Sequence, residues 1–139
     1  MSHLPGVLSR GFMMHSYTEI FVHIVFSTKY RMRALCDKHR DTVHAIMCRI
    51  AKENGLTILA INSVEDHIHV LGKMHASCVL ADTIGKMKSN TTKWLNSKSL
   101  DIGPVYWQNG YYARSVDPSG VAVVKDYIER QQEHHQQRG

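Results

Sequence analysis

The sequence has no run approaching the roughly 20 consecutive apolar residues needed to cross a bilayer. Its N-terminus also lacks the charged, apolar, small-residue layout of a signal peptide, so no membrane role and a cytoplasmic location are expected. Three cysteines, Cys36, Cys48 and Cys78, are too few and wrongly spaced for a disulfide framework or a C-x-x-C zinc knuckle, and are expected reduced and mostly buried. Charge of neither sign dominates: seventeen Lys and Arg against twelve Asp and Glu give net +5, which favours polyanionic partners without specifying one.

At 139 residues and 43% apolar content, the chain is long enough to bury one core but short for two. Residues 1–14 mix Gly, Pro, Ser and Arg without periodicity and read as a disordered extension, leaving residues 15–139 as a single domain. Glu19 to Ser27, rich in β-branched and aromatic residues, predicts a strand buried on much of both faces. Asp37 supplies an N-cap for a helix carrying Val43, Ile46, Met47 and Ile50, and Asn54-Gly55 supplies its stop. Leu56 to Asn62 and His67 to Lys73 predict a hairpin across Ser63-Val64-Glu65-Asp66.

A second helix, capped near Ser77, places Leu80, Ile84, Met87, Thr91, Trp94 and Leu95 on one stripe. Asp101 to Pro104 breaks it, Asn109-Gly110 turns the chain into a strand from Tyr111 to Val116, and Asp117-Pro118 opens a last helix. The order β-α-β-β-α-β-α predicts an α+β, ferredoxin-like (RRM-like) fold: a four-stranded antiparallel sheet, helices on one face, and an appended C-terminal helix carrying Tyr127.

Alternating side chains put His67 and His69 on one face of their strand and Ile68 and Val70 on the other. Two adjacent imidazoles on a rigid strand suit a borderline divalent metal; a solvated face carrying two histidines is the alternative. Tyr127 and Gln131, four residues apart, share a helix face beside the stripe of Val121, Val124 and Ile128; an amphipathic edge reads equally well. Lys86, Lys88 and Lys93, with Asn90, Thr91 and Thr92, suit phosphate contacts or simply a solvated face. Trp107, Tyr111 and Tyr112 suit base stacking or core packing. His134 and His135 lie just beyond Gln131, where they could assist a metal or belong to a frayed tail.

The stretch from Tyr17 to Tyr30, the His67-Ile68-His69 triplet, Trp107-Gln108-Asn109-Gly110-Tyr111 and Tyr127-Ile128-Glu129-Arg130-Gln131 together resemble the small single-tyrosine HUH transposases of bacterial insertion sequences, including their REP-associated relatives. The resemblance covers about residues 15–136. It implies metal-dependent cleavage and rejoining of single-stranded, hairpin-containing DNA, with Tyr127 as nucleophile forming a 5′-phosphotyrosine and freeing a 3′-OH. It implies His67, His69 and Gln131 as ligands of Mg²⁺ or Mn²⁺, and a homodimer whose active site can be shared between subunits. Competing readings are a replication or relaxase-type HUH nicking protein, a domesticated nucleic-acid-binding module without cleavage, and a water-using metal hydrolase. The last lacks an evident carboxylate general base beside the histidines.

Overall fold

The structure, a computed structural model, describes residues 17–131. The expected extension at residues 1–14, and His134 and His135, lie outside the described residues. Strand β1 (Ile20–Ser27) is followed by helix α1 (Asp37–Glu53), the hairpin β2 (Leu56–Val64) and β3 (His67–Met74), helix α2 (Leu80–Asn96), β4 (Tyr112–Val116) and helix α3 (Val121–Glu129). The sheet order is β2-β3-β1-β4, with every neighbouring pair antiparallel, as the ferredoxin-like reading requires.

One face of the sheet carries the main core. Val22, Ile24 and Phe26 of β1 and Ile68 and Val70 of β3 alternate inward against Val43, Met47 and Ile50 of α1 and Ile84, Met87 and Leu95 of α2. The other face of β1 is only half-buried, not apolar-packed as the composition suggested, because its alternate positions are Phe21, His23 and Val25. Helix α3 packs on that second face, opposite α1 and α2, seating Ile128 on Ala60 and Leu71.

Local signals explain most boundaries. Gly55 takes φ +86 immediately after α1, the left-handed geometry that ends a helix without a Cβ penalty. The β2–β3 turn is tighter than expected: Ser63 and Val64 are buried strand residues, leaving only Glu65 and Asp66 to turn the chain. Asp117 accepts from the Ser119 backbone N–H at 2.9 Å, so the Asp-Pro start works as read, although a 3-10 turn over Pro118–Gly120 precedes α3. Residues Cys36 and Val79, rather than Asp37 and Ser77, occupy the caps of α1 and α2, without side-chain capping bonds. Of the free cysteines, Cys36 is exposed and Cys48 and Cys78 are half-buried, so the expected burial does not hold. Among the described residues no helix is long and apolar enough to cross a membrane.

A bulge in β2 between Ile58 and Ala60 sets up the second face. Before it, Leu56 and Ile58 point to the main core; after it, Ile61 packs there and Ser63 meets His44 of α1 at 2.9 Å. One extra residue inverts the alternation, which turns Ala60 and Asn62 toward α3.

Candidate functional site

Antiparallel register places the site row by row. Tyr112, Val25, His69 and Asn62 are successive cross-strand partners over all four strands, and so share one face. Arg114, His23, Leu71 and Ala60 form the neighbouring row, and Ser27 and His67 pair on the other side. The histidine triplet therefore opens onto the sheet face covered by α3, while Ile68 anchors β3 in the main core beneath it.

The imidazoles of His67 and His69 have ring centroids 5.2 Å apart. Each has a partner at Nδ1. Asp66 Oδ1 lies 2.8 Å from His67 Nδ1, and His23 Nε2 lies 3.2 Å from His69 Nδ1. A carboxylate can only accept, so a neutral His67 carries its proton on Nδ1 and keeps a lone pair on Nε2. Burial, with the neighbouring His67 and His23, pushes the His69 pKa down to about 4, and burial also lowers that of His23. Both rings are accordingly neutral near pH 7 and available as lone-pair donors.

Asp66 is held by its backbone as well. Its carbonyl accepts from both the N–H (2.8 Å) and the hydroxyl (3.2 Å) of buried Thr28, while Leu35 N–H donates to the Glu65 carbonyl at 3.0 Å. The segment after β1 thus clasps the two-residue turn that leads into His67.

Tyr127 projects from α3 onto this face, its ring centroid 6.1 Å from that of His69 and 6.5 Å from that of His23. It is 41% exposed, so a substrate can reach the phenol. The last turn of α3 is tied to the sheet by Asn62, whose Nδ2 donates to the carbonyls of Ile128 (3.0 Å) and Glu129 (3.1 Å). These are end-of-helix carbonyls that α3 itself cannot pair.

Gln131 sits past a break. Arg130 leaves helical geometry at φ −105 and ψ 18, so Tyr127 and Gln131 do not ride one uninterrupted helix as their spacing suggested. Gln131 is 5% exposed and its Nε2 has no hydrogen-bond partner. Among the described residues no cluster of three or more His, Cys, Asp or Glu is arranged around a potential ion. Two imidazole nitrogens and an amide oxygen nevertheless form a donor set that suits a borderline divalent cation, and a buried, unpartnered amide fits a ligand that has yet to receive its ion.

The three lysines are elsewhere. They belong to α2, on the opposite face of the sheet from the histidines. Lys88 donates to the carbonyls of Gln108 (3.0 Å) and Gly110 (2.6 Å) and lies over the Phe26 ring, and burial lowers its pKa. Lys86 donates to Asn54 Oδ1 at 2.9 Å. Trp107 is a core residue, edge-on to Phe26 at 5.2 Å and donating from Nε1 to the Lys88 carbonyl at 2.9 Å. The motif around it fastens the approach to β4 rather than meeting the histidines. Tyr112 does reach them, 6.2 Å from His23 ring to ring, whereas Tyr111 precedes the strand.

The family model "Transposase IS200 like" matches residues 16–131, which include every element of the sheet and all of the site. The chain belongs to the IS200-like transposase family. It is 25% identical over 114 residues to the ISDra2 transposase TnpA of Deinococcus radiodurans, spanning 78% of this chain and 81% of that one. A crystal structure of a transposase from Deinococcus radiodurans superposes with TM-score 0.65 at 25% identity, covering 94% of this chain and 98% of the other. A REP-associated tyrosine transposase bound to a REP hairpin shares the fold, with TM-score 0.66 at 13% identity over 87% of this chain and 72% of the other.

His23, Asp66 and Asn62 are the site residues that sequence reading passed over. His23 had a signal, since it is the one polar residue inside the β1 apolar run. Asp66 adjoined the triplet but was assigned to a turn. Asn62 had none, because its direction depends on the bulge.

Proposed function

We propose that this IS200-like transposase cuts and rejoins single-stranded DNA, with Tyr127 as the nucleophile. The observation that carries the reading is the convergence of Tyr127 with the His67–His69 pair on one sheet face of a chain belonging to this family. The Tyr127 phenolic oxygen attacks a backbone phosphorus, the bond from phosphorus to the 3′ oxygen breaks, and a 5′-phosphotyrosine remains. The departing oxygen takes up a proton as a 3′-OH, and the phenolic proton is released. One phosphodiester replaces another, so the 3′-OH of a second strand can reverse the exchange without a nucleotide cofactor.

His67 and His69, each through Nε2, and Gln131 through its amide oxygen would hold a divalent ion, Mg²⁺ or Mn²⁺. Bound there, such an ion supplies Lewis-acid polarisation of the scissile phosphate and charge for the departing oxygen. The chain's own contribution is orientation. Asp66 fixes the His67 ring, His23 engages His69 Nδ1, and Asn62 holds the helix end beside them. A free phenol has a pKa of about 10, so positioning alone leaves Tyr127 a weak nucleophile, which is why the reading includes the ion. All these residues come from one chain, so two subunits of a homodimer would each contain a site, and exchange of α3 between them would be an additional arrangement.

The test incubates the protein with end-labelled, hairpin-containing single-stranded DNA and Mg²⁺, followed by denaturing electrophoresis. A covalent adduct is expected with wild type and Tyr111→Phe and lost in Tyr127→Phe. An adduct that persists in Tyr127→Phe overturns the nucleophile assignment. Binding without any adduct favours the non-cleaving module.

A further inference from the structure

We propose that the loop after β1, Lys29 to Arg33, is a docking ridge for unpaired DNA bordering the histidine face, with Tyr30 as the base-stacking platform. This rests on single-stranded DNA being the substrate.

Tyr30 is 81% exposed, the most exposed of the large apolar and aromatic side chains, and its backbone stands at φ 59 and ψ 22. Arg31 follows at φ 54. Two successive non-glycine residues in the left-handed region are unfavourable, and a fold keeps them only where its surroundings impose them. Here the anchors are visible: Thr28 is buried and its hydroxyl donates to the Met32 carbonyl at 2.7 Å, closing the loop, while Leu35 is wholly buried beyond it. Yet none of Lys29, Tyr30 and Arg31 is buried. The strain therefore holds an aromatic ring out in solvent, where it contributes nothing to the core.

Position and charge indicate what the ring meets. Ser27 is the β1 partner of His67, so the ridge begins just beyond the edge of the site. Lys29 places its ammonium 5.3 Å from the Tyr30 ring centre, and Arg31 and Arg33 follow, Arg33 sharing its guanidinium with Glu65 at 2.7 Å. Arg33 also lines a cavity of about 410 Å³ with Lys38, His39 and Lys98, where Asp101 is the one acid. An aromatic face flanked by cations is the pairing that single strands use, bases on the ring and phosphates on the cations. In a duplex the base faces are already stacked on one another, so the platform selects unpaired DNA.

The experiment measures binding of a fluorescent single-stranded oligonucleotide, and of the same sequence as duplex, to the full chain by anisotropy, alongside thermal melting. Tyr30→Phe keeps the platform and binds as wild type. Tyr30→Ala weakens single-strand binding about 5- to 150-fold, the loss expected for one stacked base, and leaves duplex binding unchanged. Tyr30→Gly is the decisive variant: glycine suits the left-handed backbone, so melting temperature rises while single-strand affinity falls, a divergence that misfolding cannot produce. Arg31→Ala lowers the log–log salt slope by about 0.7, one phosphate contact on a single strand. Wild-type affinity in Tyr30→Ala or Tyr30→Gly, equal losses on duplex, or a lower melting temperature in Tyr30→Gly would overturn the ridge while leaving the Tyr127 chemistry standing. Failure of the wild-type protein to bind single strands would overturn both.

Discussion

Asn62→Ala removes the clasp at the end of α3 and leaves the apolar seat of the helix in place. The lost contacts are the two donations to Ile128 and Glu129, at 3.0 and 3.1 Å, and one acceptance from the Ser63 N–H at 2.9 Å. At a net value of about 0.5–1.5 kcal/mol each, the two helix contacts amount to about 1–3 kcal/mol of docking energy. Ile128, wholly buried against Ala60 and Leu71, retains about 1.5–3 kcal/mol of its own, so the helix loosens without leaving. That range corresponds to a roughly 5- to 150-fold rise in local opening, because about 1.4 kcal/mol is a factor of ten. Hydrogen exchange should show faster exchange in the last turn of α3 while β1 and β3 amides keep their protection. Single-turnover adduct formation should slow in step, since Tyr127 rides on that turn. Asn62→Asp should be worse than alanine, because it faces a carboxylate with two carbonyl oxygens. Unchanged exchange in α3, equal loss of protection throughout the sheet, or an aspartate variant as active as wild type would refute the clasp.

Asp66→Ala frees His67 Nδ1 and is expected to weaken Mn²⁺ binding about 10- to 100-fold in calorimetric titration, with Asp66→Asn recovering part because its amide oxygen still accepts. Gly72→Ala puts a Cβ 2.6 Å from Leu56 Cδ1, inside the main core, and should cost about 1–3 kcal/mol in denaturant unfolding; a neutral result would show that Leu56 moves freely. His44 gives an acid-side prediction. Burial foremost, then the nearby Arg40, depress its folded pKa to about 4 from an unfolded value of 6.5. The unfolded chain binds the proton first, so stability is intact above about pH 6.5 and declines as pH falls toward 4. In His44→Gln that decline should be shallower when melting temperature is followed across this window.

The alternation of β1 and β3 and the stripes of α1 and α2 were legible because each depends on a single period read along one element. The side of the sheet on which α3 packs was not, since it depends on a bulge between Ile58 and Ala60 that no local residue preference announces. The same bulge made Asn62 unreadable. His67 and His69 were visible as a pair, but His23 joins them only through the β1–β3 register, a pairing between residues 46 positions apart. The lysine stripe on α2 was a correct helical pattern assigned to a face away from the histidines, where Lys88 spends its charge on loop carbonyls. Tyr127 and Gln131 were placed on a common helix by spacing alone, and the break at Arg130 separates them.

Two tyrosines, Tyr127 and Tyr112, border the histidines, and only one can carry the chemistry proposed. Proteolysis of the trapped protein–DNA adduct followed by mass spectrometry of the nucleotide-bearing peptide decides between them. The account predicts the modification on Tyr127, in the peptide that contains α3. A nucleotide on Tyr112, or on any residue outside α3, would contradict it.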